Sequence, residues 1–131
     1  MTMSQTLQRI LVVDDAATVR MYHRAILEGA GYVVDEAING IEALEKALTQ
    51  PFDLYLVDVN MPKLDGYGFL RELRRQEIPQ APTLMISTES QSHDRTRAYE
   101  AGANFYLVKP IKPQELLAHC RLLLSARGEP I

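Results

Sequence analysis

A parallel α/β sheet covered by helices on both faces is the fold class this sequence predicts, and three observations predict it. Short, continuously apolar runs of strand length recur along the chain, segments with helical spacing separate them, and glycine, asparagine or proline stands at most junctions. Parallel strands require crossover connections, which are right-handed, so five strand–helix units in about 120 residues imply one doubly covered sheet. The first strand is residues 10–13, an Ile-Leu-Val-Val run apolar enough for burial on both faces. Val19, Tyr22, Ala25 and Ile26 then give a helical stripe, closed by Gly29 and Gly31. Residues 32–37 carry Asp35 and Glu36, which suits a strand at the sheet edge. Asn39-Gly40 opens a second helix with Ile41, Leu44, Ala47 and Leu48 on its apolar side, and Pro51 follows it. Residues 54–57 form the third strand, and Phe69, Leu70 and Leu73 mark the third helix. Residues 83–86 form the fourth strand. The fourth helix, 91–101, is weakly amphipathic, with Ala98, Tyr99 and Ala101 as its apolar residues, and is expected to be loosely held; Gly102 ends it. Residues 105–108 form the fifth strand, and Leu116, Cys120, Leu123 and Leu124 mark the fifth helix.

Composition bounds the rest. With 131 residues, 47% apolar and 24% charged, the chain suits one domain spanning 1–131 with a core at about 9–127. The first few residues and the tail from 128 are expected to fray, and no further domain is expected after the last helix. No apolar run reaches the length of a membrane span and no export signal opens the chain, so the expected compartment is the cytoplasm. A lone cysteine, Cys120, excludes an intrachain disulfide and reads as a packed thiol. Fourteen Lys plus Arg against 17 Asp plus Glu gives a net charge of -3, which argues against nucleic acid as a partner; Arg71, Arg74 and Arg75 read as a solvated helix face.

In such sheets ligands bind beyond the carboxyl ends of the strands. The first strand ends in Asp14-Asp15, the third in Asp58, the fourth in Ser87, and Lys109 follows the fifth. Singly, each has an ordinary explanation as a helix cap or surface residue. Together they place four polar strand ends on one rim. In the common order 2-1-3-4-5 the first and third strands are neighbours about 5 Å apart, which crowds three carboxylates. Such a trio must hold a proton or share a cation, and a hard dication with oxygen ligands fits, magnesium best. The dication would let a phosphoryl group approach Asp58, which stands alone on the central strand and is the better nucleophile; Ser87 and Lys109 supply donors.

The segments 10–15 (Ile-Leu-Val-Val-Asp-Asp), 56–66 (Leu-Val-Asp-Val-Asn-Met-Pro-Lys-Leu-Asp-Gly), 85–89 (Met-Ile-Ser-Thr-Glu) and 102–110 (Gly-Ala-Asn-Phe-Tyr-Leu-Val-Lys-Pro) carry a resemblance. Through them residues 9–127 resemble the receiver domain of two-component response regulators, in particular its single-domain chemotaxis type. The resemblance implies the flavodoxin-like, CheY-like fold. It implies magnesium held directly by Asp15, through water by Asp14, with Asp58, and by the backbone carbonyl of Asn60. Asp58 would take a phosphoryl group from a CheA-like histidine kinase, Ser87 and Lys109 would grip its oxygens, and the Lys109-Pro110 bond would be cis. Gly66 would permit a tight turn into the third helix. A phosphoryl group would draw Ser87 inward and let Tyr106 swing from exposed to buried, converting the fourth helix, fifth strand and fifth helix into a partner face. The expected partner in chemotaxis is the flagellar motor switch, reached by a monomeric protein.

Two departures from the family pattern bear on this. Ser87 stands where many relatives have threonine, losing a methyl that restrains the rotamer. Thr88 stands where alanine or glycine is frequent, which narrows access to the site. Asn60 and Glu89 read as a pair tuning self-hydrolysis or as plain loop polarity. The chain is expected to be a signalling protein that promotes its own phosphorylation and dephosphorylation, not an enzyme. A phosphorelay shuttle or phosphate sink, passing the group to a histidine phosphotransfer protein, is an alternative; a non-phosphorylated scaffold and a flavodoxin-like cofactor binder are others. A cofactor binder would need a Gly/Thr-rich phosphate loop where Asp14-Asp15 stand. A phosphatase would need a second carboxylate two residues after Asp58, where Asn60 stands.

Overall fold

The computed structural model describes residues 7–89 and 92–125; the expectations for the N-terminal residues, for position 91, for 126–127 and for the tail from 128 lie outside the described residues. The elements alternate as β1 (Arg9–Val13), α1 (Ala17–Gly29), β2 (Val33–Ala37), α2 (Gly40–Thr49), β3 (Leu54–Asp58), α3 (Gly66–Arg75), β4 (Thr83–Ser87), α4 (Ser92–Ala101), β5 (Phe105–Val108) and α5 (Pro113–Ser125). All strand pairs are parallel and the order is β2-β1-β3-β4-β5. The strands lie between two apolar layers. Leu11, Val13, Tyr55, Val57, Met85 and Tyr106 face one layer with residues of α2, α3 and α4. Ile10, Val12, Leu54, Leu56, Leu84 and Ile86 face the other with Leu27 of α1 and Leu116, Cys120 and Leu124 of α5. Double-sided burial is why these strands read as unbroken apolar runs. The edge strand β2 keeps its acids by pairing them, Asp35 with Lys46 and Glu36 with Arg20 and Arg24.

The punctuation behaves as its chemistry requires. Asn39 caps α2 by accepting from the Glu42 amide, and Asp65 caps α3 by accepting from the Gly68 amide, each at 2.8 Å. Gly31 and Gly102 take positive φ, 98° and 116°, after α1 and α4. Gly66 is needed for another reason than the expected turn: its φ is ordinary, but a Cβ there would lie 2.5 Å from the Asp58 carbonyl oxygen. The left-handed residue of that loop is Lys63, at φ 72°.

Three expectations are corrected. In α1 the buried residues are His23 and Leu27, while Tyr22 and Ala25 of the expected stripe are exposed; the Tyr22 hydroxyl instead donates to the Ile111 carbonyl at 3.4 Å. In α2 the inward residues are Ala43 and Ala47, and Ile41 and Leu48 are exposed, because α2 sits close against Leu64, whose carbonyl accepts from the Gly40 amide at 3.0 Å. Finally, Arg74 is no solvated residue. Its guanidinium donates to the carbonyls of Gly102 and Ala81 and to the side chains of Gln80, Thr83 and Asn104, tying the end of α3 to the start of β4 and the end of α4.

Candidate functional site

Strand β1 ends so that Asp14 is buried and Asp15 exposed. The Asp14 backbone continues the ladder by donating to the Ala37 carbonyl, and its Oδ1 accepts from the Ala16 amide at 2.9 Å, an Asx turn that fixes the carboxylate. Asp58 is the last residue of β3 and is also buried. Carboxylate oxygens of Asp14, Asp15 and Asp58 lie within 4.8 Å of one another. Lys109, one residue past β5, reaches across the sheet end to Asp14 Oδ2 at 3.1 Å and Asp58 Oδ1 at 3.0 Å. The Lys109-Pro110 bond is cis. Thus the structure brings together the expected acids and the lysine from three strand ends.

Electrostatics follow from this crowding. Burial pushes the Asp58 carboxyl up to about 6, the Lys109 ammonium pulls it back, and the charges of Asp14 and Asp15 add to the rise. Burial by itself would lower Lys109; hydrogen bonds and charge from Asp58 and Asp14 outweigh it, so the ammonium titrates above its usual range. His23 of α1 is buried, its Nδ1 has no hydrogen-bond partner among the described residues, and burial lowers its pKa, so the imidazole is neutral near the site. Three carboxylates are an all-oxygen donor set, and that set fits magnesium. The existing cation, Lys109, neutralises one of the three charges.

The remaining expected residues lie on β4, on β5 and on the loops after β3 and β4. Ser87 is fully buried at the end of β4, its Oγ accepting from the Glu89 amide at 3.0 Å. Asn60, Thr88 and Glu89 are exposed on the loops after β3 and β4. Tyr106 corrects the expected exposed resting position: it is fully buried, and its hydroxyl donates to the Glu89 carbonyl at 2.7 Å. Sequence reasoning missed Arg95, whose Nη1 donates to the Tyr106 carbonyl at 3.1 Å, and Tyr67, buried beside the Asp58 loop. No spacing rule links an arginine on one helix to a tyrosine on the next strand, so neither carried a signal.

Comparison with known proteins agrees with this geometry. The family profile described as the response regulator receiver domain matches residues 10–121. The transcriptional regulatory protein ResD of Bacillus subtilis is 39% identical over 121 residues, 92% of this chain and 50% of that protein. The chain therefore spans about half the length of the curated relatives it matches. Among solved structures, chemotaxis protein CheY4 of Vibrio cholerae is 35% identical with a TM-score of 0.86, covering 90% of this chain and 99% of that one. The receiver domain of sensor histidine kinase PA1611 from Pseudomonas aeruginosa is 34% identical with a TM-score of 0.85, covering 92% and 99%, and has a magnesium ion coordinated in its active site cleft.

Proposed function

We propose, for a chain that belongs to the response regulator receiver domain family, that Asp58 accepts a phosphoryl group from a histidine kinase and that the α4–β5–α5 face passes the change to a protein partner. The observation that carries the reading is the single ammonium of Lys109 shared by two buried carboxylates in a cup of three. Asp14, Asp15, Asp58 and the Asn60 carbonyl would hold magnesium, which would supply the charge neutralisation an incoming phosphoryl group needs. With a pKa of about 6, Asp58 is mostly ionised at neutral pH and has a lone pair ready for phosphorus. Its oxygen forms the new P–O bond as the P–N bond to the donor histidine breaks. Lys109, already within hydrogen-bond reach of Asp58, turns its protons to the transferred group. The Ser87 side chain rotates to donate its hydroxyl to another oxygen, and that rotation carries Oγ away from the Glu89 amide and shifts the loop that holds Tyr106. Asn60, Thr88 and Glu89 line the approach for hydrolytic water and set how long the phosphoryl group lasts.

For output we favour chemotaxis, with the flagellar motor switch as partner and a CheA-like kinase as donor, supported by the likeness to CheY4 along nearly its whole length. Transcriptional control is the second reading, supported by the match to one half of ResD. A relay or phosphate sink working with a histidine phosphotransfer protein is the third, supported by the likeness to the PA1611 receiver. The reading includes a monomeric receiver occupying 1–131 with its core at about 9–127, in the cytoplasm and without direct nucleic-acid contact, in keeping with a net charge of -3. Among the described residues no helix is long and apolar enough to cross a membrane. The test is incubation with acetyl phosphate and magnesium. We expect a gain of one phosphoryl group by intact mass in the native chain and none in Asp58→Asn. Equal labelling of both would refute the assignment, and return transfer to a phosphotransfer histidine separates the relay from the motor reading.

A further inference from the structure

Helix α4 buries little apolar surface: Ala98 and Ala101, with Asp94 as the buried polar residue, while Tyr99 turns outward. Its two arginines make contacts of another kind. The Arg95 guanidinium carbon stands 5.3 Å from the centroid of the Tyr106 ring, and its Nη1 donates to the Tyr106 carbonyl at 3.1 Å. The Arg97 guanidinium carbon stands 4.3 Å from the centroid of the Tyr67 ring, whose hydroxyl donates to the Asp94 carbonyl of the same helix at 3.4 Å. A cation over an aromatic face is drawn by the ring quadrupole, and the planar guanidinium suits it well.

Each ring leads back to the strand ends. The Tyr106 hydroxyl donates to the Glu89 carbonyl, and the Glu89 amide donates to Ser87 Oγ. Tyr67 follows Gly66, whose amide donates to the Val59 carbonyl at 2.9 Å and whose bare α-carbon lies against the Asp58 carbonyl. One connection starts from the β4 end and the other from the β3 end, and both finish on α4.

We propose that Arg95 and Arg97 are positioning residues for the phosphorylation response: they seat α4 on two tyrosines, one connected to Ser87 and one to the Asp58 backbone, so that the helix moves with the site. The proposal rests on the reading of Asp58 as the phosphoryl acceptor. Neither arginine touches the reacting atoms; the charge on each acts through the ring beneath it.

The experiment uses the full chain in five forms: native, Arg95→Met, Arg97→Met, Arg95→Lys and Arg97→Lys. Methionine keeps an apolar stem and removes the cation; lysine keeps the cation. Amide hydrogen exchange is followed by NMR, amide shifts are recorded with and without magnesium and beryllofluoride, and intact mass is measured after acetyl phosphate. All five should gain one phosphoryl group. In the methionine variants α4 amides should exchange roughly two- to fivefold faster, and the beryllofluoride-induced shifts in α4 should shrink roughly twofold while those at 57–59 and 87–89 persist. The lysine variants should recover much of both. Normal labelling with native exchange and native α4 shifts in both methionine variants overturns the coupling alone. A native chain that gains no phosphoryl group overturns the acceptor reading and the coupling with it.

Discussion

Single side chains set the chemistry, and Asp58 and Lys109 set most of it. A carboxyl whose native pKa of about 6 exceeds its unfolded value keeps its proton longer in the folded chain than in the unfolded one. The native state therefore binds more protons between roughly pH 4 and 6, and stability falls as pH rises through that window, by up to about 3 kcal/mol from this group. In metal-free protein Asp58→Asn removes the penalty. Its urea midpoint should match the native chain near pH 4 and exceed it at pH 7, by about 2 kcal/mol in free energy once the lost Lys109 contact is deducted. Identical pH profiles for the two proteins would show that Asp58 is not held in a crowded, desolvated place. Lys109→Met should act in the opposite sense. It leaves Asp14 and Asp58 buried without their cation, and chemical denaturation in EDTA should register a loss of about 2 kcal/mol, with part of it restored by added magnesium. The acids, Ser87 and Lys109 were legible in the sequence because strand ends are legible, and strand ends determine which side chains meet. The inward Tyr106 was not, since its seat depends on the Glu89 carbonyl and the Arg95 guanidinium, contacts that no periodicity encodes.

Elements show where pattern reading works and where it fails. The strands and the stripes of α3 and α5 were legible because large apolar residues there coincide with burial, as with Phe69, Leu70 and Leu73. Helices α1 and α2 were half legible: Ile26, Leu44 and Ala47 of the expected stripes pack inward, whereas Tyr22, Ala25, Ile41 and Leu48 are exposed. Pattern reading assigns the largest apolar residues inward, but α2 packs close through Ala43 and Ala47 and leaves Ile41 and Leu48 outside. Arg74 was misread for the same reason: a charged residue on a helix defaults to solvent unless carbonyls converge on it from elsewhere in the chain. Burial lowers its pKa, and the oxygens of five residues answer its donors. Arg74→Met should therefore cost about 2 kcal/mol by urea denaturation, while Arg75→Met, which loses an exposed ion pair with the neighbouring Glu72, should cost under about 0.5. Gly66→Ala places a methyl against the Asp58 carbonyl oxygen. It should lower stability by about 2 kcal/mol and slow labelling by acetyl phosphate, since relieving the overlap must move either α3 or β3.

At the scale of the whole molecule, parallel order β2-β1-β3-β4-β5 does the assembling. It sets β1 beside β3, so that Asp14 and Asp15 meet Asp58, and puts β5 at the far edge, from which Lys109 must reach across to close the cup. It also leaves α4 lightly packed between α3 and β5, beside the end of β4 that carries Ser87. That geometry suits a domain whose chemistry at one rim is read out on an adjacent face, and the chain's place among response regulator receivers agrees with it. The central claim is that this cup delivers a phosphoryl group to Asp58. The direct measurement is tandem mass spectrometry after acetyl phosphate and magnesium, with borohydride reduction converting any aspartyl phosphate to homoserine. The account predicts homoserine at position 58 and at no other aspartate, lost when EDTA replaces magnesium. Homoserine at position 14 or 15, or none anywhere, would contradict it.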